Sequence, residues 1–145
     1  STTYIITNAT PGWVELSARK YYPKTSEIIK KIKIVSARGV YEKRFPRDYK
    51  RWKIEAFLET VREINLNLVT NLICFGDSTI EMEAAHVLAS RFTQAFIKTI
   101  KFKESPVPGE LIKQLYAVLD QLNMVVNEVK NLTVTFEKNN RLKNY

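Results

Sequence analysis

The sequence predicts an α/β fold in which a mostly parallel β-sheet is flanked by helices on both faces. Short apolar and β-branched runs alternate with helix-like segments, as expected when helical crossovers join parallel strands. The run Leu72 to Phe75 is apolar throughout, which is typical of a strand covered on both faces. A chain of 145 residues is long enough for one such domain with a buried core.

Short runs rich in β-branched and aromatic residues are the predicted strands, at 3–6, 32–35, 71–75, 95–102 and 132–136. Segments with helical periodicity or capping residues are the predicted helices, at 13–22, 26–31, 51–64, 79–92 and 110–129. The segment 40–49 contains Pro46 and is a predicted loop. The resulting order is β-α-α-β-α-β-α-β-α-β.

The segment 51–64 has the clearest helical pattern. Ile54, Phe57 and Val61 recur at three- and four-residue steps, so one face of the helix is apolar. Trp52 is expected to pack inward. Its neighbour Lys53 is by the pattern alone a solvated helix lysine, as most helix lysines are.

Composition predicts one domain over 1–137, followed by a frayed basic tail at 138–145. The net charge of +8 favours anionic partners. The single cysteine, Cys74, cannot form an internal disulfide, and this predicts a reducing compartment such as the cytoplasm. No apolar run approaches the length of a membrane span, so we expect no membrane partner.

Polar residues follow three of the predicted strands. Thr7 and Asn8 end the first strand, Ser36 to Arg38 end the second, and Asp77 ends the third. Ligands of parallel sheets bind outside the carboxyl ends of the strands, so these residues are expected on one rim. Thr7 and Asn8 offer the neutral donors that a phosphoryl group needs, although both residues are also common in ordinary turns.

Asp77 and Glu81 are four residues apart at the start of the predicted helix 79–92, and therefore lie on one face of it. Two carboxylates in this arrangement can hold a hard cation such as Mg²⁺ through oxygen. The alternative is that Asp77 or Ser78 caps the helix and Glu81 complements its positive end.

In the order Thr7, Lys53, then Gly76-Asp77 with Glu81, these pieces resemble motifs two, three and four of the haloacid dehalogenase (HAD) superfamily. Further landmarks of the resemblance are Thr7-Asn8-Ala9, Gly12-Trp13-Val14, Ser36-Ala37-Arg38 and Trp52-Lys53. The resemblance implies a Rossmann-like, HAD-like sheet and Mg²⁺-dependent phosphohydrolase chemistry. It implies catalytic roles for Thr7 and Lys53, and Mg²⁺ binding by Asp77 and Glu81. It also implies phosphate contacts from Thr7, Asn8, Lys53 and Arg38.

The first motif of that superfamily, Asp-x-Asp, contains the nucleophile and is missing. The chain has three aspartates, Asp48, Asp77 and Asp120, and no two of them form the pair. We therefore expect an incomplete sheet and the C-terminal part of a phosphohydrolase that is inactive alone. Its expected partners are a phosphorylated small molecule or phosphoprotein, and a missing N-terminal segment. That segment's strand would lie beside the strand that ends in Thr7, and its absence would leave a gap.

Two alternatives compete with this interpretation. The first is a non-catalytic α/β module that holds nucleic acid, the less favoured partner, or an acidic protein through a basic surface, composed of Lys43, Arg44, Arg47, Lys50, Arg51 and Lys53. The second is a Gly-Asp-Ser hydrolase with Ser78 as nucleophile. Its only possible base, His86, would be about 12 Å along the same helix, too far to pair with Ser78.

Overall fold

A computed structural model describes residues 2–64, 69–136 and 142–144. The chain divides into two compact units, Ser1–Thr60 and Val61–Tyr145. Each unit is α/β and contains one small sheet with parallel strands. The predicted α/β class is therefore confirmed, whereas the HAD-like arrangement and the single domain over 1–137 stay predictions.

The first unit contains two strands and four helices. In chain order they are β1 (Tyr4–Thr7), α1 (Trp13–Tyr21), α2 (Pro23–Ile29), β2 (Lys33–Ser36), α3 (Ala37–Tyr41) and α4 (Tyr49–Thr60). The strands β1 and β2 are parallel, and the register pairs Tyr4 with Lys33 and Thr7 with Ser36. The carboxyl ends of both strands are thus at the same edge of the sheet.

Helix α3 corrects the sequence prediction, which had a turn after Ser36 and a loop over 40–49. The side chain of Ser36 accepts a hydrogen bond from the backbone N–H of Gly39 at 3.0 Å and caps the helix. Ala37 and Tyr41, on its inner face, are buried in the core. A five-residue helix of this kind depends on tertiary packing, so local propensity did not reveal it.

The core of the first unit is built around Trp52, which is fully buried. Its indole Nε1 donates to the carbonyl oxygen of Phe45 at 2.6 Å. Its ring packs edge-on against Tyr49, with 4.8 Å between the ring centroids. Ala37, Tyr41 and Ala56 complete the buried cluster, with Ile6, Val35 and Phe45 packed against it. The expected inward packing of Trp52 is confirmed, and it sets the face of α4 that is buried.

The described residues of the second unit form four strands and two α-helices, together with a 3-10 turn at Val61–Glu63. In chain order they are β3 (Asn71–Gly76), α5 (Thr79–Ala89), β4 (Phe96–Lys101), α6 (Pro108–Asn127), β5 (Leu132–Phe136) and β6 (Leu142–Asn144). The sheet order is β3-β4-β5-β6, with the first three strands parallel and β6 antiparallel to β5. The residues 142–144 pair with β5 as β6, whereas the other residues of 138–145 lie outside the described residues, so the frayed tail stays a prediction.

Strand β4 is central in this sheet. It was predicted from an alternation of apolar and polar residues, yet its polar members Lys98 and Thr99 are as buried as Ile97 and Ile100. Burial on both faces is the rule for an inner parallel strand. The neighbouring core consists of Ile100, Phe102, Val125, Leu132, Val134 and Phe136. Among the helices of the described residues, none has the length and apolarity needed to cross a bilayer.

Lys98 gives the second unit a pH-dependent contribution to stability. Its side chain is fully buried and its Nζ donates to the carbonyl oxygen of Val126, near the C-terminus of α6, at 3.0 Å. Burial lowers the pKa of Lys98 from its ordinary 10.5, so the folded chain releases this proton more readily than the unfolded chain. Stability relative to a Lys98→Met variant should therefore rise with pH between the lowered pKa and 10.5.

Thermal unfolding of both proteins between neutral pH and pH 10.5 measures this difference. Lys113→Met, at an exposed position, is the control, and its melting temperature should change with pH as that of the wild type does. If the melting temperature of Lys98→Met also followed that of the wild type over this whole pH range, the buried Lys98 would make no pH-dependent contribution to stability.

Candidate functional site

A network of hydrogen bonds fixes the turn after β1. The Thr7 hydroxyl accepts from the N–H of Ala9 at 3.1 Å, and the carbonyl oxygen of Ala9 accepts from the Ser36 hydroxyl at 2.7 Å. Because Ser36 also caps α3, the carboxyl ends of β1 and β2 are tied together. Thr7 acts as an acceptor toward Ala9, so its own O–H can still donate to an anionic oxygen.

Asn8 has one satisfied and one unsatisfied polar atom. Its Nδ2 donates to the carbonyl oxygen of Tyr49, at the start of α4, at 3.0 Å. Its Oδ1 is buried, and within the described ranges no hydrogen-bond partner reaches it. Buried polar atoms are nearly always hydrogen-bonded, so this acceptor indicates a place for a donor from water or from a ligand.

Lys53 reaches the same end of β1. Only 4% of the residue is exposed, and its Nζ donates to the carbonyl oxygen of Ile6, the residue before Thr7, at 3.0 Å. The solvated-lysine interpretation is therefore wrong. Taking an ammonium group out of water is unfavourable unless it is hydrogen-bonded, and the carbonyl oxygen of Ile6 supplies one such bond. The Lys53 ammonium group is therefore held at the carboxyl end of β1.

Arg38 is the second residue of α3, which directly follows β2, and the last residue of that strand, Ser36, pairs with Thr7. Its guanidinium Nε donates to the Glu42 carboxylate at 3.0 Å, and 43% of the side chain is exposed. The hydrogen bond to Glu42, together with the charge of that carboxylate, raises the pKa of Arg38. The backbone of Arg38 thus lies near the rim, while its side chain pairs along its own helix.

In the second unit, Asp77 and Glu81 lie at the N-terminus of α5, and Asp77 is exposed. The Glu81 carboxylate accepts from the backbone N–H of Ser78 at 3.1 Å and also from the Ser78 hydroxyl. This is the capping interaction that the sequence left open as an alternative.

The two carboxylates fit Mg²⁺ only in part. Mg²⁺ prefers octahedral oxygen ligands and is often held by one or two carboxylates, with phosphate oxygens and water completing the shell. The exposed Asp77 can supply one such carboxylate. The Oε2 atom of Glu81, in contrast, already accepts hydrogen bonds from Ser78. Across the described part of the chain, no group of three or more His, Cys, Asp or Glu side chains is arranged to hold a metal.

Gly76 is required by the close approach of α5. A Cβ atom at this position would lie 2.6 Å from Cβ and 2.8 Å from Cγ of Glu81. We expect Gly76→Ala to destabilise the second unit by about 1–3 kcal/mol, because overpacking forces α5 away from the strand end. Thermal unfolding measures this effect.

The matched control is Gly109→Ala in the first turn of α6, where an added Cβ would meet nothing within 4 Å. It should be neutral or stabilising by up to about 1 kcal/mol, since alanine favours the helix. Equal melting temperatures for the two variants would show that the contact between Gly76 and Glu81 is unimportant.

The structure brings together Thr7, Asn8 and Lys53 at the carboxyl end of β1, within one unit. Asp77 and Glu81 lie near the start of α5 within the other unit, and convergence of the two groups stays a prediction. Sequence reasoning missed Ser36 as the residue that locks the turn. The signal was present in the position of Ser36 at the end of β2, opposite Thr7.

Comparison of the chain with protein-family models, with curated proteins and with solved structures gives no match.

Proposed function

We propose that the chain is the C-terminal portion of a HAD-like, Mg²⁺-dependent phosphohydrolase and is inactive alone because it lacks the aspartate nucleophile. The single observation behind this proposal is the buried ammonium of Lys53, hydrogen-bonded beside Thr7 at the end of a parallel strand. Lys53 and Thr7 are separated by most of the first unit in sequence, and their order along the chain is the order that the resemblance implies. A purely structural lysine would more often point to solvent.

The residues of the first unit would hold the phosphoryl group. The Thr7 hydroxyl would donate to one phosphate oxygen, and Lys53 would offset the negative charge. Arg38 would join them by leaving Glu42. In the intact parent, Mg²⁺ would be held by Asp77 with help from Glu81 and would supply Lewis-acid chemistry. The substrate would be a phosphorylated small molecule or phosphoprotein in a reducing compartment such as the cytoplasm.

The nucleophile would arrive on a strand from a missing N-terminal segment. Among the described residues, β1 pairs with β2 alone, and all four of its residues are half-buried. A two-stranded parallel sheet is unusually small, since parallel sheets normally contain more strands and are covered on both faces. A third parallel strand beside β1 would complete a Rossmann-like, HAD-like sheet and place an aspartate next to Thr7.

Titration of the chain with inorganic phosphate, followed by backbone NMR, tests the proposed phosphate site at Thr7, Asn8 and Lys53. We expect saturable shifts of the amide signals of Thr7, Asn8 and Ala9, with millimolar affinity because a single anion gains few contacts. Shifts confined to residues 43–51 would contradict this site and would favour the second candidate function.

The second candidate is a non-catalytic module that binds an acidic protein or nucleic acid through the basic segment 43–51. The guanidinium carbons of Arg44 and Arg51 lie 5.1 and 4.8 Å from the Phe45 ring centroid, so that ring holds two cations in place. Arg47 has a positive φ of 62°, a strained conformation of the kind that concentrates at functional sites. These features favour a preorganised cationic surface over a solvated run of charges.

Fluorescence anisotropy with a labelled single-stranded RNA tests this candidate. Affinity should fall about tenfold or more between ~50 and ~200 mM salt, and the double variant Arg44→Ala/Arg47→Ala should weaken it further. The control is Arg91→Ala/Lys113→Ala, which removes the same charge from exposed positions in the second unit. Equal loss in both double variants would indicate nonspecific attraction by net charge.

A further inference from the structure

Helix α6 has two apolar faces. One of them packs in the second unit: Val125 is buried, and Ala117 and Val118 contact the core. Gln114 anchors this side, since its Oε1 accepts from the backbone N–H of Lys103 at 2.8 Å and only 1% of the residue is exposed. The packed face therefore fixes how α6 is rotated about its own axis.

The second face is exposed. Its members are separated by three and four residues in alternation, which is the a and d pattern of a coiled-coil helix. We call them the α6 seam, and they are Ile112, Leu115, Leu119, Leu122 and Val126. Ile112, Leu115 and Leu119 are 53%, 49% and 63% exposed, and the neighbouring Tyr116 is 64% exposed. Contiguous apolar surface of this kind marks an interaction site.

We propose that the α6 seam is the contact surface of a two-fold symmetric dimer of this chain, with the two helices antiparallel. A heptad seam is complementary to another helix of the same pattern, and a second copy supplies one. In the antiparallel register, Leu115 of one copy packs on Leu119 of the other, and Ile112 packs on Leu122. Each a position then meets a d position, as knobs-into-holes packing requires.

The area and the charge of the seam both fit a second copy. Five exposed apolar side chains on each helix, with the half-buried Leu122 among them, bury on the order of 1,000 Å² over the two copies, which is about the lower bound for a specific interface. The five are Ile112, Leu115, Tyr116, Leu119 and Val126. Helix α6 contains three charged residues, Glu110, Lys113 and Asp120, although the whole chain has a net charge of +8. Repulsion between copies is therefore weaker here than at the basic surfaces.

Repulsion between the remaining charges also sets the salt dependence. Because two chains of charge +8 repel each other, screening should strengthen an apolar dimer as salt is added. This dependence has the opposite sign to that of nucleic-acid binding, so the two kinds of interaction are distinguishable in one titration.

Sedimentation velocity of the 145-residue chain from about 1 to about 200 μM tests the dimer, a range that covers micromolar affinity. The mean mass of the wild type should rise from that of one chain toward that of two. Leu119→Lys and Leu115→Lys should each shift the dissociation constant at least tenfold, toward monomer. Gln121→Lys adds the same charge at an exposed position of α6 outside the seam and should dimerise nearly like the wild type.

Circular dichroism checks that each variant is folded, and the exposure of both leucines makes this the expected result. A wild type that keeps the mass of one chain at every concentration would overturn the proposal. So would a folded Leu119→Lys variant that associates as strongly as Gln121→Lys, because the contact would then lie elsewhere on the chain.

Discussion

Lys53→Met should reduce the affinity for inorganic phosphate at least tenfold and leave the fold intact. Methionine keeps the apolar stem of lysine and its approximate length, so the packing beside Ile6 is retained while the charge is lost. A charge-assisted hydrogen bond to phosphate contributes roughly 1.5–3 kcal/mol, which is at least a tenfold change in the dissociation constant. Phosphate titration by NMR measures it.

The matched variant is Lys43→Met, at an exposed position of the basic segment. It removes the same formal charge and should change phosphate affinity less than twofold, since exposed charges are screened by solvent and salt. If the two variants lost affinity equally, phosphate would be attracted by net charge and the buried position of Lys53 would have no special function.

Trp52→Ala should unfold the first unit or lower its melting temperature by more than 10 °C, an estimate from a loss of about 3–5 kcal/mol for a buried tryptophan. The variant creates a cavity at the centre of the core and leaves the Phe45 carbonyl oxygen without its 2.6 Å donor. Such a loss is a large part of the ~5–15 kcal/mol that stabilises a typical domain.

The chain supplies its own control, because its other tryptophan, Trp13, is 54% exposed at the start of α1. Trp13→Ala should cost less than about 1 kcal/mol, as surface substitutions usually do. Thermal unfolding followed by circular dichroism compares the two. Equal destabilisation would mean that the core of the first unit is not centred on Trp52.

Much of the element order could be predicted from the sequence. Periodicity predicted the long helix α6 and the strand Leu132–Phe136, because side-chain spacing directly reflects which face is buried. The pairing of strands into two sheets could not be predicted, since β1 and β3 are both apolar runs and such runs do not specify their neighbours. Helix α3 was missed for a related reason: Ala37 and Tyr41 are helical because of tertiary burial.

The roles of the candidate site residues stay predictions. The structure shows that Lys53, named from the sequence, lies within hydrogen-bond distance of the carbonyl oxygen of Ile6, the neighbour of Thr7. What the spacing of Asp77 and Glu81 could not decide was whether Glu81 faces a cation or its own helix. The capping bond between Glu81 and Ser78, three residues away, is a local alternative that the same sequence allows, so only coordinates distinguish the two.

Hydrolysis of p-nitrophenyl phosphate with and without Mg²⁺ is the most direct test of the proposal that this chain has a phosphate-binding site but lacks the nucleophile. The 145-residue chain is predicted to give no turnover above buffer. The parent product, extended upstream of Ser1, is predicted to contain Asp-x-Asp and to give Mg²⁺-dependent turnover that Lys53→Met abolishes. Robust turnover by the 145-residue chain itself, or a parent without Asp-x-Asp, would contradict the account.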